Sequence, residues 1–265
     1  MNVIRTFIII TAVGMTGCTS TRANNPADPL EPVNRGIYKF NDVVDKNVVK
    51  PVARGYKAVM PTTARIMVSN FFSNLDDVVV TANDLLQFKV SQGISDGMRF
   101  FVNTTFGIFG LFDVATPGGL KKHDEDFGQT LGKWGIGNGP YLVLPILGPS
   151  TLRDSVGLYA DGYPSPIYQM KNMRARAQAY MIRGLNRRAE LLDQEKVLDE
   201  AMLDPYEFVR DAYLLHRQSQ VYDGNPPRPK YEDDESDDDV LPQESPAPGP
   251  SSPTSANPAS PSTPH

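Results

Sequence analysis

Apolar residues return every three to four positions along most of this chain, the spacing of helices that each turn one face inward. From Asn34 to Tyr56, Ile37, Phe40, Val44 and Val48 fall on one face, and Pro51 predicts a break. Between Thr62 and Phe88 the pattern predicts two helices, one around Ile66 and one from Val78 to Leu86. Asn172 to Ala201 is rich in Ala, Arg, Leu and Glu, with Met181, Leu185 and Leu192 on one face and cations on the other. Two helix starts carry capping signals. Ser150-Thr151-Leu152-Arg153-Asp154 is one. Asp204-Pro205-Tyr206-Glu207 is the other, with an N-cap, a proline at the first helical position and an acid behind it; its helix runs through Phe208, Ala212 and Leu215. The fold class is therefore all-α.

Two stretches depart from amphipathic helix. Met98 to Ala115 crowds Phe100, Phe101, Phe106, Ile108, Phe109, Leu111 and Phe112 together, with Asn103-Thr104-Thr105 between them and Gly107 and Gly110 weakening any single helix. A soluble domain would bury this run as a core hairpin; a membrane-embedded protein would turn it to lipid. The residues by themselves favour the core hairpin. Gly132 to Gly148 is the second stretch. Gly132, Gly135, Gly137 and Gly139 loosen the backbone, and Tyr141 to Leu147 is an apolar run cut by Pro145. A regular strand would not hold that proline, so a glycine-hinged hairpin or an irregular loop is expected. The glycines lack the strand-loop-helix setting and the lysine of a phosphate-binding loop.

Composition narrows the chemistry. The chain has one cysteine, Cys18, and three histidines, His123, His216 and His265, few of the residues from which hydrolytic and metal sites are built. No G-x-S-x-G or H-E-x-x-H motif occurs. His123-Asp124-Glu125-Asp126 is the densest ionisable cluster; a surface turn near a helix start is expected, ahead of a metal or acid-base role. No enzymatic activity and no cofactor are expected. The net charge of -5 is unevenly placed: from Asp223 to His265 the charge is -7, leaving +2 for the rest. A near-neutral body gives no sign of nucleic-acid binding. Past Pro227, Tyr231 is the only aromatic residue, an acidic run spans Glu232 to Asp239, and Pro, Ser and Ala fill the remainder. Such a tail cannot bury enough apolar surface to fold and is expected to be a disordered, solvated spacer.

The N-terminus has the layout of a secretory signal: Arg5, the apolar run Phe7 to Val13, then small residues up to Cys18. The run is shorter than the ~20 residues that span a bilayer. Met15-Thr16-Gly17-Cys18 resembles a bacterial lipobox, with Met15 where Leu is usual. In such a motif the cysteine is acylated and becomes the first residue, and several chains at ~0.8 kcal/mol per buried methylene make a durable anchor. The expected organisation is a signal peptide over 1–17, a lipidated tether over 18–27, a helical domain over 28–224 and the tail over 225–265.

Further blocks are specific enough to suggest a family. Asp28-Pro29-Leu30-Glu31-Pro32-Val33-Asn34-Arg35 with Phe40-Asn41 resembles the opening of the MlaA/VacJ outer-membrane lipoproteins. Pro51-Val52-Ala53, Ser69 to Leu75 and Phe100 to Thr104 are similar too. So are Phe127 to Gly132, Gly135, Gly137, Gly139-Pro140-Tyr141, Leu144-Pro145, Leu152-Arg153-Asp154, Asp204-Pro205-Tyr206 and Arg210 to Tyr213. The resemblance covers Asp28 to Gly224 and implies a ring-like, membrane-embedded helical lipoprotein with an amphipathic channel. It implies a protein that removes mislocalised phospholipids from the outer leaflet, in association with a trimeric porin, and passes them to a periplasmic phospholipid carrier of the Mla pathway. Under it Phe100, Phe101, Phe106, Phe109 and Phe112 become membrane-facing surface. Gly135, Gly137, Gly139, Tyr141 and Pro145 become the hairpin that borders and gates the channel. Thr19 after Cys18 is compatible with outer-membrane sorting, since aspartate there would signal inner-membrane retention. The competing expectation is an envelope lipoprotein that scaffolds or adheres without moving lipid.

Overall fold

The computed structural model describes residues 27–199 and 204–227. The signal peptide, Cys18, most of the tether and the tail from 228 lie outside the described residues. Helix α1 (Glu31–Val44) leads through a π-helical turn (Asp45–Val49) into α2 (Lys50–Val59). The break expected at Pro51 does not occur. In the π turn the Lys50 N–H bonds the Asp45 carbonyl, five residues back, and Pro51 then falls in the opening turn of α2, where an N–H is not required.

Helix α3 (Thr62–Leu86) is one helix of 25 residues where two were expected. It turns back at Phe88 into α4 (Val90–Phe106). Then come α5 (Phe127–Lys133), a two-stranded antiparallel hairpin of β1 (Tyr141–Leu144) and β2 (Gly148–Thr151), α6 (Leu152–Asp161), α7 (Met173–Asp199) and α8 (Pro205–Val221). The hairpin pairs Tyr141 with Thr151 and Leu144 with Gly148. Pro145 sits just beyond β1, in the turn, so no ladder bond is lost to it. The expected caps form: Thr151 accepts from the Asp154 N–H and Asp204 from the N–H groups of Tyr206 and Glu207; Asp126 also caps, accepting from that of Gln129.

Neighbour contacts close into a ring. Ala53 and Tyr56 of α2 pack on Leu185, Ala189 and Leu192 of α7. The expected third member of that α7 stripe, Met181, faces outward instead. Arg183 of α7 grips Asp76 of α3 with two bonds of 2.8 Å. Thr130 of α5 donates to Asn83 of α3 at 2.9 Å. Arg217 of α8 bonds Asp126 at the start of α5 at 2.6 Å. Tyr206 of α8 packs with Tyr141 and Val143 of β1, over Ile37 and Tyr38 of α1, which returns the circuit to its origin.

Candidate functional site

The α3–α4 pair inverts the usual amphipathic arrangement. Asn70, Asn74, Asp77, Thr81 and Asp84 repeat on α3 at heptad spacing and meet Gly93, Asp96, Arg99 and Asn103 of α4, or the loop that follows. Asp77, Asp84, Asp96 and Arg99 are at most 2% exposed. Asn74 bonds Thr104 at 2.9 Å, and Asn70 bonds the Leu111 carbonyl at 3.2 Å. Lys122 reaches in to Asp77, and Arg99 to Thr116 and Asp113. Small residues make the approach possible: a Cβ on Gly93 would stand 3.2 Å from the Asp84 Cβ, and one on Gly110 would stand 2.6 Å from Asn74.

Two buried acids on these helices, Asp84 and Asp96, share one site. Burial, then the hydrogen bond and charge of Asp96, push the Asp84 carboxyl up to about 7. His123 Nδ1 stands 2.8 Å from Oδ2 of Asp96. The cluster His123-Asp124-Glu125-Asp126 is thus not the surface turn expected. His123 turns to Asp96, Glu125 is buried against Lys89, Gln87 and Gln92, and Asp126 caps α5 and pairs with Arg217. Only Asp124 stays exposed, because the ring interior supplies polar partners for the others.

The apolar side chains of the same helices point out. Val90, Ile94, Met98 and Phe101 line the outer face of α4. Past it, Ile108, Phe109 and Gly110 all have left-handed backbone, with φ of 53°, 57° and 83°. Each such non-glycine residue costs roughly 1–2 kcal/mol. This turn leaves Phe106 at 71% and Phe109 at 73% exposed, with Ile108 and Phe112 exposed beside them. Phe101 is exposed and Phe100 half-buried. The expected core hairpin over Met98 to Ala115 is therefore wrong. The stretch is a helix end and a tight turn, and the polar residues between the phenylalanines are the buried ones. On α1, the π turn and α2, Val33, Phe40, Val43, Val48, Val52 and Val59 are exposed as well. No helix among the described residues is long and apolar enough to cross a membrane.

Inside the ring lie three cavities that share walls. The first, of about 680 Å³, lies between α3, α7 and α8 and is lined by Asp76, Lys122, Tyr180, Arg183, Arg187 and His216, among others. The second, about 290 Å³, shares Asp76, Asp124, Tyr180, Arg183 and Gln220 with it and adds Val79, Val80 and Leu158. The third, about 260 Å³, shares Asp126, Leu158 and Asp161 with the second and ends against Leu144, Leu147, Pro149 and Ser150 of the hairpin.

These hairpin lining residues were missed in the sequence, where glycines and the proline drew attention instead. Tyr141 is fully buried in a tyrosine cluster, Pro145 is exposed in the turn, and Gly135, Gly137 and Gly139 lie in the approach to β1. Gly135 and Gly139 have φ of 89° and 65°, whereas Gly137 is not left-handed and has open space around its Cβ position. Two asparagines one heptad apart clamp the hairpin to α1. Asn34 bonds the Tyr141 carbonyl and the Val143 N–H at 2.9 and 3.0 Å, and Asn41 bonds the Leu144 carbonyl and the Ile146 N–H at 2.9 and 2.8 Å. Asn34 also donates to the fully buried Asp28, which accepts from Tyr206.

The hub that holds the far side is ionic. Arg217 bonds both Asp126 and Asp154, and Asp154 also accepts from Arg153 and Tyr213. Burial would raise the Asp154 carboxyl, but the Arg217 bonds and charge prevail and hold it at about 2. Helices α5 and α6 cross so closely that a Cβ on Gly157 would lie 2.4 Å from the Gly128 nitrogen.

The blocks that build this hub and clamp also carry the relationship to known proteins. The family model described as MlaA lipoprotein matches residues 26–220. The intermembrane phospholipid transport system lipoprotein MlaA of Escherichia coli K12 is 37% identical over 222 residues, covering 82% of this chain and 87% of its own. That of Haemophilus influenzae is 31% identical over 224 residues, covering 82% and 89%. A solved structure reported under "Structural basis for maintenance of bacterial outer membrane lipid asymmetry" is similar at a TM-score of 0.66 and 37% identity, over 73% of this chain and 98% of that one. With sequence and ring agreeing over nearly all the described residues, the chain belongs to the MlaA lipoprotein family.

Proposed function

We propose that this protein removes mislocalised phospholipids from the outer leaflet of the outer membrane and hands them to a soluble periplasmic carrier, so that lipid asymmetry is kept. In this reading it is anchored through acylated Cys18 on the periplasmic side, and a trimeric porin is its partner in the membrane. Its relatives are named for intermembrane phospholipid transport, and that is the first support.

The observation that carries the reading is the inverted ring: polar and ionised side chains inside, beside connected cavities, and apolar stripes outside. A phospholipid headgroup left in hydrocarbon without hydrogen bonds costs several kcal/mol, so it needs a polar path. The outer stripes, Phe101, Phe106, Phe109 and Phe112 among them, meet acyl chains of one leaflet; half-buried Phe100 sits at their edge. The hairpin closes the last cavity with Leu144 and Leu147 and is the gate, with Gly135, Gly137 and Gly139 as its hinge and Tyr141 and Pro145 fixing its base and turn. Transfer of lipid by this route makes and breaks no covalent bond.

The test is outer-leaflet phospholipid content in cells lacking the chain. It rises, and wild-type protein restores it. Unchanged asymmetry on deletion rejects the reading. Cys18→Ala gives precursor that is uncut and unacylated by mass spectrometry; an unmodified Cys18 in wild-type protein rejects the anchor.

A further inference from the structure

The largest of these cavities is polar, and part of its charge is already paired. Arg183 holds Asp76 with paired 2.8 Å bonds, and Lys122 is bound to Asp77 and to the Ser73 carbonyl; Glu190 accepts from the Asn186 amide at 3.1 Å and keeps its negative charge. Three further groups have no such partner. Among the described residues, the Arg187 guanidinium, the His216 ring and the Asp124 carboxylate face the cavity without an ion-pair or side-chain hydrogen-bond partner. Arg187 lies one turn beyond Arg183 on α7, so the Arg183–Asp76 pair fixes the face that presents it.

This set is complementary to a molecule that carries both charges. A guanidinium and an imidazole suit the oxygens of a phosphate ester, and the unpartnered Asp124 carboxylate suits an ammonium. At about 680 Å³ the cavity is within the range of sites for small molecules. The adjoining cavity adds Val79, Val80 and Leu158, an apolar wall for a hydrocarbon chain attached to that head.

We propose that the cavity between α3, α7 and α8 is a docking site for a zwitterionic phosphate-ester headgroup of the phosphoethanolamine type, with Arg187 and His216 on the phosphate and Asp124 on the ammonium. It deepens the transport reading and rests on it: the headgroup pauses here while its chains follow the apolar side of the route.

The experiment titrates the full chain, purified in a neutral detergent, with three probes: glycerophosphoethanolamine, glycerophosphoglycerol and inorganic phosphate. Binding is read from arginine and histidine side-chain NMR shifts. Glycerophosphoethanolamine moves the Arg187 and His216 signals, and Arg187→Glu weakens it by about tenfold or more, as loss of a charge-assisted pair should. His216→Ala weakens it less, and Arg187→Lys retains most of the affinity. Asp124→Lys weakens glycerophosphoethanolamine but spares or strengthens glycerophosphoglycerol. Arg174→Glu, on an exposed part of α7 away from the lining, changes nothing. Inorganic phosphate binding as tightly as glycerophosphoethanolamine would make this a free-anion site and overturn the headgroup assignment. Affinity unchanged in both Arg187→Glu and His216→Ala overturns the site. Wild-type protein that retains phospholipid through purification yet binds no probe overturns it while leaving transport standing. Protein that neither retains lipid nor binds a probe rejects both.

Discussion

Single buried charges set the tolerance of this fold to mutation and to pH. Arg217 is 7% exposed and pairs with two carboxylates at once. Arg217→Leu leaves Asp126 and Asp154 without it, and costs about 3–5 kcal/mol in denaturant unfolding. Asp154 has a folded-state pKa below its usual 3.8, so its contribution is complete above that value and is lost as the pH falls toward about 2. Asp84 has the opposite sign. Pushed up to about 7, it keeps a proton that the unfolded chain releases near 3.8, so stability declines as the pH rises through that window. The groups acting on it are Asp96 of α4, Glu125 of the following loop and Lys89 of the turn, with His123 on the other partner, Asp96. Asp84→Asn supplies a permanent donor to Asp96. The variant should melt above wild type at pH values beyond 7 and converge with it in acid; a parallel offset at every pH would show that Asp84 does not titrate in this range.

At the scale of elements, the hairpin and the apolar turn after α4 make separable predictions. Asn34→Ala removes the bonds to Tyr141, Val143 and Asp28 and strands buried partners, so it should cost about 2–4 kcal/mol at roughly 1 kcal/mol per bond. Gly135→Pro demands a φ near -65° where the backbone has 89°, and lowers protein stability. Gly137→Pro meets neither positive φ nor a crowded Cβ position, so the fold survives it. In the proposed gating reading it stiffens the approach to the hairpin, and so it should still raise outer-leaflet phospholipid at unchanged protein level. Normal asymmetry in that variant would exclude hinge motion at this residue. In the turn, Ile108→Asp with Phe109→Asp places charge on two exposed apolar positions, and binding of non-acylated protein to liposomes should fall by about tenfold or more, since each exposed side chain contributes on the order of 1.5–3 kcal/mol when buried. Unchanged liposome binding would mean that these residues face something other than lipid.

For the whole molecule, the ring sets apolar stripes outside and a polar interior inside, with no helix among the described residues long and apolar enough to cross a membrane; in the proposed reading the stripes engage one leaflet. Closure depends on pairs far apart in sequence, such as Arg35 with Asp204 at 2.9 Å and Lys50 with Glu195 at 2.8 Å. These pairs are only partly buried, and pairs still reached by solvent contribute about 1 kcal/mol each. The seam is instead held by the buried cluster of Asp28, Asn34, Tyr141 and Tyr206, where the neighbouring Arg35 guanidinium stacks 4.4 Å over the Tyr206 ring.

Much of this was legible locally. Thr151 and Asp204 announced their helices because a cap needs only residues within one turn of it. The helical class and the family resemblance likewise needed no distant contact. Two readings from the residues alone do not hold. The pattern over Thr62 to Phe88 predicts two helices where α3 is one, and the phenylalanine run after Met98 reads as a core hairpin until the family resemblance turns it outward. Periodicity fixes which residues share a face; it does not say which face is inside. The heptad of Asn70, Asn74, Asp77, Thr81 and Asp84 was present as a signal, but only the tertiary structure, by setting Gly93, Asp96, Arg99 and Asn103 opposite it, made the polar face the buried one. The cavities are likewise a tertiary product: Asp76, Arg187 and His216 are brought around one space by three helices, and no local rule brings together residues so far apart in the chain.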